Sequence, residues 1–172
     1  MNIVVCIKQV PNTSEVKIDP KTVTLLREGV PSIINPDDKS TLVEALALKD
    51  LWGARVSVLS MGPPQAHKAL REALCMGVDA AILLADPAFA GSDTLATSRA
   101  LAADLKKLPY DIIFAGRQAI DGDTAQVGPE LAEHLNLPQI TYVEKVSLEG
   151  KTLSRGRIRR SYCKYACAPY RH

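Results

Sequence analysis

The stretch YDIIFAGRQAIDGDTAQVGPELAEHLNLP, residues 110–138, decides how the chain is read. Its apolar run Ile112-Ile113-Phe114-Ala115 is short for a helix and suits a strand buried on both faces of a parallel sheet. Farther on, Leu131, Ala132 and Leu135 fall on one face of a helix that ends near Asn136 and Pro138. Between them lies a loop with Gly116 and Gly122, and Gly128 sits just inside the helix. Strand, small-residue loop and helix N-terminus together make an anion site at the carboxyl edge of a sheet. Asp123-Thr124-Ala125-Gln126 predicts a capping box, with Asp123 as N-cap and Gln126 at N3. Pro129 fits that frame poorly, because so far into a helix it leaves a carbonyl unpaired. An ordinary βα turn satisfies the same spacing, and neither GxxxxGK[ST] nor GxGxxG occurs.

Working outward, Asn2 to Val10 reads as a first strand ending at Pro11. Val16–Ile18 and Val23–Leu26, split by Asp19-Pro20-Lys21, predict a projecting β-hairpin. Ser32 to Asn35 is extended before Pro36, where a helix begins with Asp37 and Asp38 in its first turn and stops at Gly53. Ala54–Met61 is a second strand, Ala66–Met76 a helix closed by Gly77, and Ala80–Leu84 a third strand. Asp93–Leu108 is a helix capped by Ser92 or Asp93, and Tyr110–Ala115 is the fourth strand. Thr141–Leu148 and Thr152 onward suit a hairpin around Glu149-Gly150-Lys151. Strands alternating with helices predict βαβ units, a mostly parallel open sheet with helices on both faces, and right-handed crossovers. The fold class is therefore α/β, Rossmann-like, with a hairpin projecting near the N-terminus.

With 172 residues, 47% of them hydrophobic, the chain can bury one core. Residues 1–150 hold 14 Lys and Arg against all 19 Asp and Glu, whereas residues 151–172 hold seven basic residues and no acid. That shift divides the chain into an α/β domain, 1–153, and a basic tail, 154–172, expected to be disordered. Only five apolar residues, Ile3 to Ile7, precede Lys8, so nothing reads as a signal peptide, and no run approaches the roughly 20 needed to span a bilayer. Cys6 and Cys75 read as free thiols in a strand and a helix, and Cys163-x3-Cys167 is a lone pair without the second half of a zinc site. No metal is expected, and the compartment expected is the cytoplasm.

In an open parallel sheet, ligands gather at the carboxyl ends of the strands. Here those ends supply Cys6 to Gln9, Asn35, Met61-Gly62 and Gly116 onward. An adenosine laid across them would place its phosphate on the amides of Thr124 to Val127, with Gly62 and Gly122 letting backbone approach without a Cβ. Asp121 and Asp123 repel a phosphate, so one is expected to cap the helix while the other bonds a ribose hydroxyl. Lys8 and Arg117 stand near the same ends, as phosphate screens or as solvated rim charges. His67 and His134 read as solvated surface histidines, and no Ser-His-Asp or Cys-His set is legible, so no catalytic residue is assigned. Trp52, at a helix end, reads as core or subunit contact.

GRQAIDGDTAQVGPELAEHLNLPQ resembles the nucleotide-binding segment of electron-transfer flavoprotein beta subunits. VCIKQVPNTSEVKIDP, INPDD, SMGPPQA and ALCMGVDAA extend the resemblance over about residues 1–150. It implies an electron-transfer subunit that holds FAD or AMP and pairs with a flavin-carrying alpha subunit, passing electrons between acyl-CoA dehydrogenase-type partners and a further acceptor. By matching motif it places Cys6, Asn35, Met61, Asp121, Thr124, Gln126 and Val127 on the nucleotide. The VPNTSEVKIDP and NPDD spellings are similar to the bifurcating members, in which the beta subunit carries a second FAD. A stress-type ATP- or AMP-binding module without redox chemistry is the alternative.

Members of that family continue past Leu148 into a long arm that embraces the alpha subunit. SRGRIRRSYCKYACAPYRH stands in its place, which reads as a truncated or frame-shifted end. A nucleic-acid-binding tail is the other reading of the same charge, but an isolated basic run is weak evidence, and nucleic acid is not expected as a partner.

Overall fold

The computed structural model describes residues 1–12, 31–143 and 146 in full, and the backbone at 17–18, 25–26, 147–149, 152–155 and 164–167. Four parallel strands form the centre of the fold: β1 (Asn2–Cys6), β6 (Arg55–Met61), β7 (Ala80–Leu84) and β8 (Ile112–Gly116). Their spatial order is β7-β6-β1-β8, so the chain builds outward on one side of β1 and then returns to its other side. β1 is therefore paired along both edges and covered on both faces. A run as apolar as NIVVC is what such a position requires.

Alternate residues of each strand feed two separate cores. Ile3, Val5, Val56, Val58, Ile112 and Phe114 pack against α1 (Pro36–Trp52) and α2 (His67–Met76). Val4, Cys6, Leu59, Ile113 and Ala115 pack against α3 (Thr94–Leu105) and α4 (Val127–Leu135). The mostly parallel sheet with helices on both faces is thus as the sequence predicts. β3 (Lys17–Ile18) pairs antiparallel with β4 (Leu25–Leu26), forming the expected hairpin, although its turn lies outside the described residues. β10 (Val146–Glu149) pairs with β11 (Thr152–Arg155), the second expected hairpin.

Several elements depart from expectation. The first strand stops at Cys6, and Gln9–Pro11 forms a separate β2 that pairs antiparallel with β5 (Ser32–Ile34). The break lets Lys8 offer its amide to Asp38 and its carbonyl to the amide of Asn35. Residues 164–167, in the stretch where the sequence shows no period, form β12, antiparallel to β8 and to β9 (Gln139–Ile140). Cys163 lies outside the described residues, so the Cys163-x3-Cys167 pair has no structural reading. Trp52 is not in the core; it is half exposed at the end of α1. No helix among the described residues is long and apolar enough to cross a membrane.

Candidate functional site

The order β7-β6-β1-β8 puts the reversal of strand order between the parallel β1 and β8, where a crevice opens at the carboxyl ends of the strands. A cavity of about 720 Å³ lies there, within the range of small-molecule sites. Leu59, Met61, Phe89 and Leu101 give it an apolar wall, and Lys8, Asp38 and Arg117 bring charge to it.

Seven of the nine residues expected at a site line this cavity: Cys6, Met61, Gly62, Gly122, Thr124, Gln126 and Val127. Asn35 and Asp121 do not line it; they hold the loop that does. Asn35 is fully buried, and its Nδ2 donates to the Gln118 carbonyl at 2.8 Å while its Oδ1 accepts from the Ile120 amide at 3.1 Å. Although Asn35 stands at the N-cap position of α1, its side chain caps nothing in that helix. Asp121 Oδ1 meets Lys8 Nζ at 2.7 Å, and Arg117 Nε lies 3.6 Å from Asp37 Oδ2. Residues 117–121 are thus tied at several points to the corner where β1 hands over to α1.

The capping box does not form. Asp123 and Ala125 have φ of 49° and 53°, in the left-handed region, so α4 cannot begin at Thr124. The helix starts at Val127 with Gln126 at N-cap, and the Asp123 carboxylate instead accepts from Gln118 Nε2 at 2.9 Å. This frame removes the difficulty with Pro129. It falls at N3, where no intrahelical partner awaits an N–H, and Glu130 makes the first bond, to the Gln126 carbonyl at 3.0 Å. Two left-handed residues that are not glycine, on either side of Thr124, mark a loop held in an uncommon shape by its surroundings.

Two parts of the cavity escape the sequence reading. One is the connection from Ala85 to Thr94, whose Pro87-Ala88-Phe89 turn and Asp93 cap line the cavity. Its turn residues between a strand and a helix were the available signal. The other is Asp38, expected in the first turn of α1 as a complement to the helix dipole. Its carboxyl is buried, accepting from the Lys8 amide at 2.8 Å and from Asn35 and the Gly116 amide. Burial is the main cause that pushes it up to about 7, and the Asp37 charge adds to it, against those hydrogen bonds.

His67 and His134 lie away from the cavity lining. His67 is exposed beside the Pro64 carbonyl, as expected. His134 differs: it is half-buried, with Nε2 3.2 Å from the hydroxyl of fully buried Ser98, because α4 packs on α3 at that point. No cluster of metal-ligating side chains occurs among the described residues.

Residues 22–161 match the family described as the electron transfer flavoprotein domain. The chain is 72% identical over 153 residues to a Clostridium acetobutylicum protein named electron transfer flavoprotein subunit beta, an alignment covering 89% of this chain and 59% of that relative. It is 60% identical over 153 residues to caffeyl-CoA reductase-Etf complex subunit CarD of Acetobacterium woodii, covering 88% and 58%. Protein FixA of Azorhizobium caulinodans is 55% identical over 152 residues, covering 86% and 54%. The chain spans rather more than half the length of these relatives.

Proposed function

The chain belongs to the electron transfer flavoprotein family, as a relative of its beta subunits, and from that premise we propose that it binds an adenine nucleotide, FAD with AMP as the alternative, in the cavity between β1 and β8. The observation that carries the reading is the cavity itself: an apolar wall for a ring system, two cations at one end, and a glycine with open space on the loop side. The amides of residues 124–127 at the start of α4 suit phosphate oxygens, and the end of a helix dipole favours negative charge. Lys8 and Arg117 each hold an acidic partner that a phosphate group would displace or share. Cys6, Met61 and Gly62 form the floor on which the adenosine rests.

Residues 1–153 form the nucleotide-binding unit in this reading. Bound flavin supplies one- and two-electron chemistry; the protein supplies its position and its surroundings. The chain works as an electron carrier in a heterodimer with a flavin-carrying alpha subunit, exchanging electrons with dehydrogenases that act on acyl-CoA esters, in the cytoplasm. The name of the Acetobacterium woodii relative, a subunit of a caffeyl-CoA reductase-Etf complex, supports that partner class, and the VPNTSEVKIDP and NPDD spellings support electron bifurcation within the complex.

The test is the absorbance spectrum of the ligand released from the purified protein by denaturation, followed by titration of the emptied protein with FAD and with AMP. A flavin band and tight FAD binding are expected. An adenine band alone selects AMP, and binding of neither overturns the reading.

A further inference from the structure

Among the described residues that line the cavity, Asp38 is the buried charged one, and its burial has no role in the reading above. It stands at the N-terminal turn of α1, wedged between the ends of β1 and β8, and one carboxylate oxygen takes the Lys8 amide. Gly116 lies so close that an added Cβ would collide with Asp38 Oδ1 and with the backbone of Asp37 and Asp38. Asp38 is among the residues that line the cavity, and only 8% of its surface is exposed. The charged groups around it are few. Asp37 follows the same turn and meets Arg117 from the loop after β8, Lys8 after β1 is committed to Asp121, and Lys39 turns away to Glu72 on α2.

We propose that nucleotide binding in this cavity is coupled to protonation of Asp38: entry of an anionic ligand favours uptake of a solvent proton by the Asp38 carboxylate, and its departure favours that proton's return. The inference rests on the nucleotide reading and assigns a regulation to the same site. Two effects act in one direction. A ligand over the cavity side removes the water that still reaches the carboxyl, and its phosphates bring negative charge toward it; both favour the neutral acid. Drawing Arg117 onto phosphate adds to this, since Asp37 is then less neutralised. Without ligand the carboxyl already titrates near neutrality, at about 7, so modest changes in its surroundings alter its charge under ordinary conditions. By linkage, the ligand binds more tightly to the protonated form, and affinity falls as pH rises.

The experiment is calorimetric titration of the full chain with FAD from about pH 6 to 9, in buffers of differing ionisation enthalpy, beside the Asp38→Asn variant. FAD is chosen because its pyrophosphate diester keeps its charge through that range. Net proton uptake near neutrality is expected, with affinity falling about eightfold across the range for a one-unit rise of the carboxyl on binding. Asp38→Asn should bind FAD with no uptake and a flat profile. If that variant does not fold, carboxyl-labelled aspartate followed by NMR in the wild-type chain reads the same group directly, and its midpoint should rise when FAD is added. A pH-independent wild-type affinity, uptake retained in the variant, or a midpoint unmoved by FAD overturns the proposal and leaves nucleotide binding intact. Failure of FAD, AMP and adenosine alike to bind overturns the nucleotide reading and the proposal with it.

Discussion

Gly116 and Asp38 occupy the same small space: the last residue of β8 has no side chain, and the carboxyl of α1 fills the volume a Cβ would take. Gly116→Ala therefore forces either β8 or the N-terminus of α1 to move. Destabilisation of about 1–3 kcal/mol is expected, the usual cost of overpacking a tight site. Gly122→Val is the matched contrast. Nothing lies within 4 Å of a Cβ there, so its melting curve should stay near wild type while FAD affinity drops, because the branch enters the cavity. Denaturant melts and FAD titrations of both variants check the pair.

Stability should fall as pH rises from about 4 through 7 on account of Asp38. Its folded carboxyl is pushed up to about 7, so the folded state holds a proton that the unfolded chain gives up near 4. The stabilisation is complete below the unfolded value and is lost as pH climbs through the folded one. The difference between wild type and Asp38→Asn should change across that window by up to about 4 kcal/mol, from roughly three units at about 1.4 kcal/mol each. Asp79 has the opposite sign. Its carboxylate accepts from Lys49 Nζ at 2.6 Å and from the Val56 amide at 2.8 Å, which hold it below the usual range. That contribution is present above the unfolded value and disappears as pH drops through the folded one, so Asp79→Asn should matter least in acid. Urea melts across pH measure both.

Asp93 is the working cap on this side of the fold. Its side chain accepts from the Ala96 amide at 2.8 Å at the start of α3. Asp93→Ala should cost about 1 kcal/mol, and Asp93→Asn little. Asp123→Gly, by contrast, should be tolerated, because the position needs a left-handed backbone and glycine adopts one freely. Equal losses at the two positions in a thermal melt would contradict the placement of the α4 start at Val127.

Lys8→Met removes an ion pair whose partners are 48% and 31% exposed. Stability should change by less than about 1 kcal/mol, since water screens such pairs. FAD affinity should fall several-fold and lose part of its salt dependence. An unchanged salt slope would place Lys8 outside the phosphate's reach.

The central sheet was legible because strands covered on both faces have little choice of residue. NIVVC and IIFAG are near-continuous apolar runs bounded by turn residues, and RVSVLSM alternates through Val56 and Val58. The loop after β8 was legible in place and not in frame. Asp123 is a favoured capping residue, and nothing in its type reveals a left-handed backbone; only the neighbours that hold Gln118 and Ile120 impose it. Two acids at the start of α1 read equally well as dipole complements, so the burial of Asp38 is a tertiary fact that one helix cannot disclose. β12 is similar. KYAC has no alternation of its own and becomes a strand through its pairing with β8.

The position of β1 between β6 and β8 also fixes an order of events in synthesis. The first strand made is the one with the most distant partners, Ile3 facing Val56 on one side and Ile112 on the other. Closing contacts over such separations is slow, because the chain entropy is surrendered before the pairing energy returns it. The cavity draws on residues from Cys6 to Gly128, so no nascent fragment that stops short of α4 possesses it. A ligand there binds only the completed unit and stabilises it by an amount that grows with the logarithm of its concentration over its Kd. The cofactor is thereby a late inspector of assembly, holding finished chains and passing over those still waiting for their fourth strand.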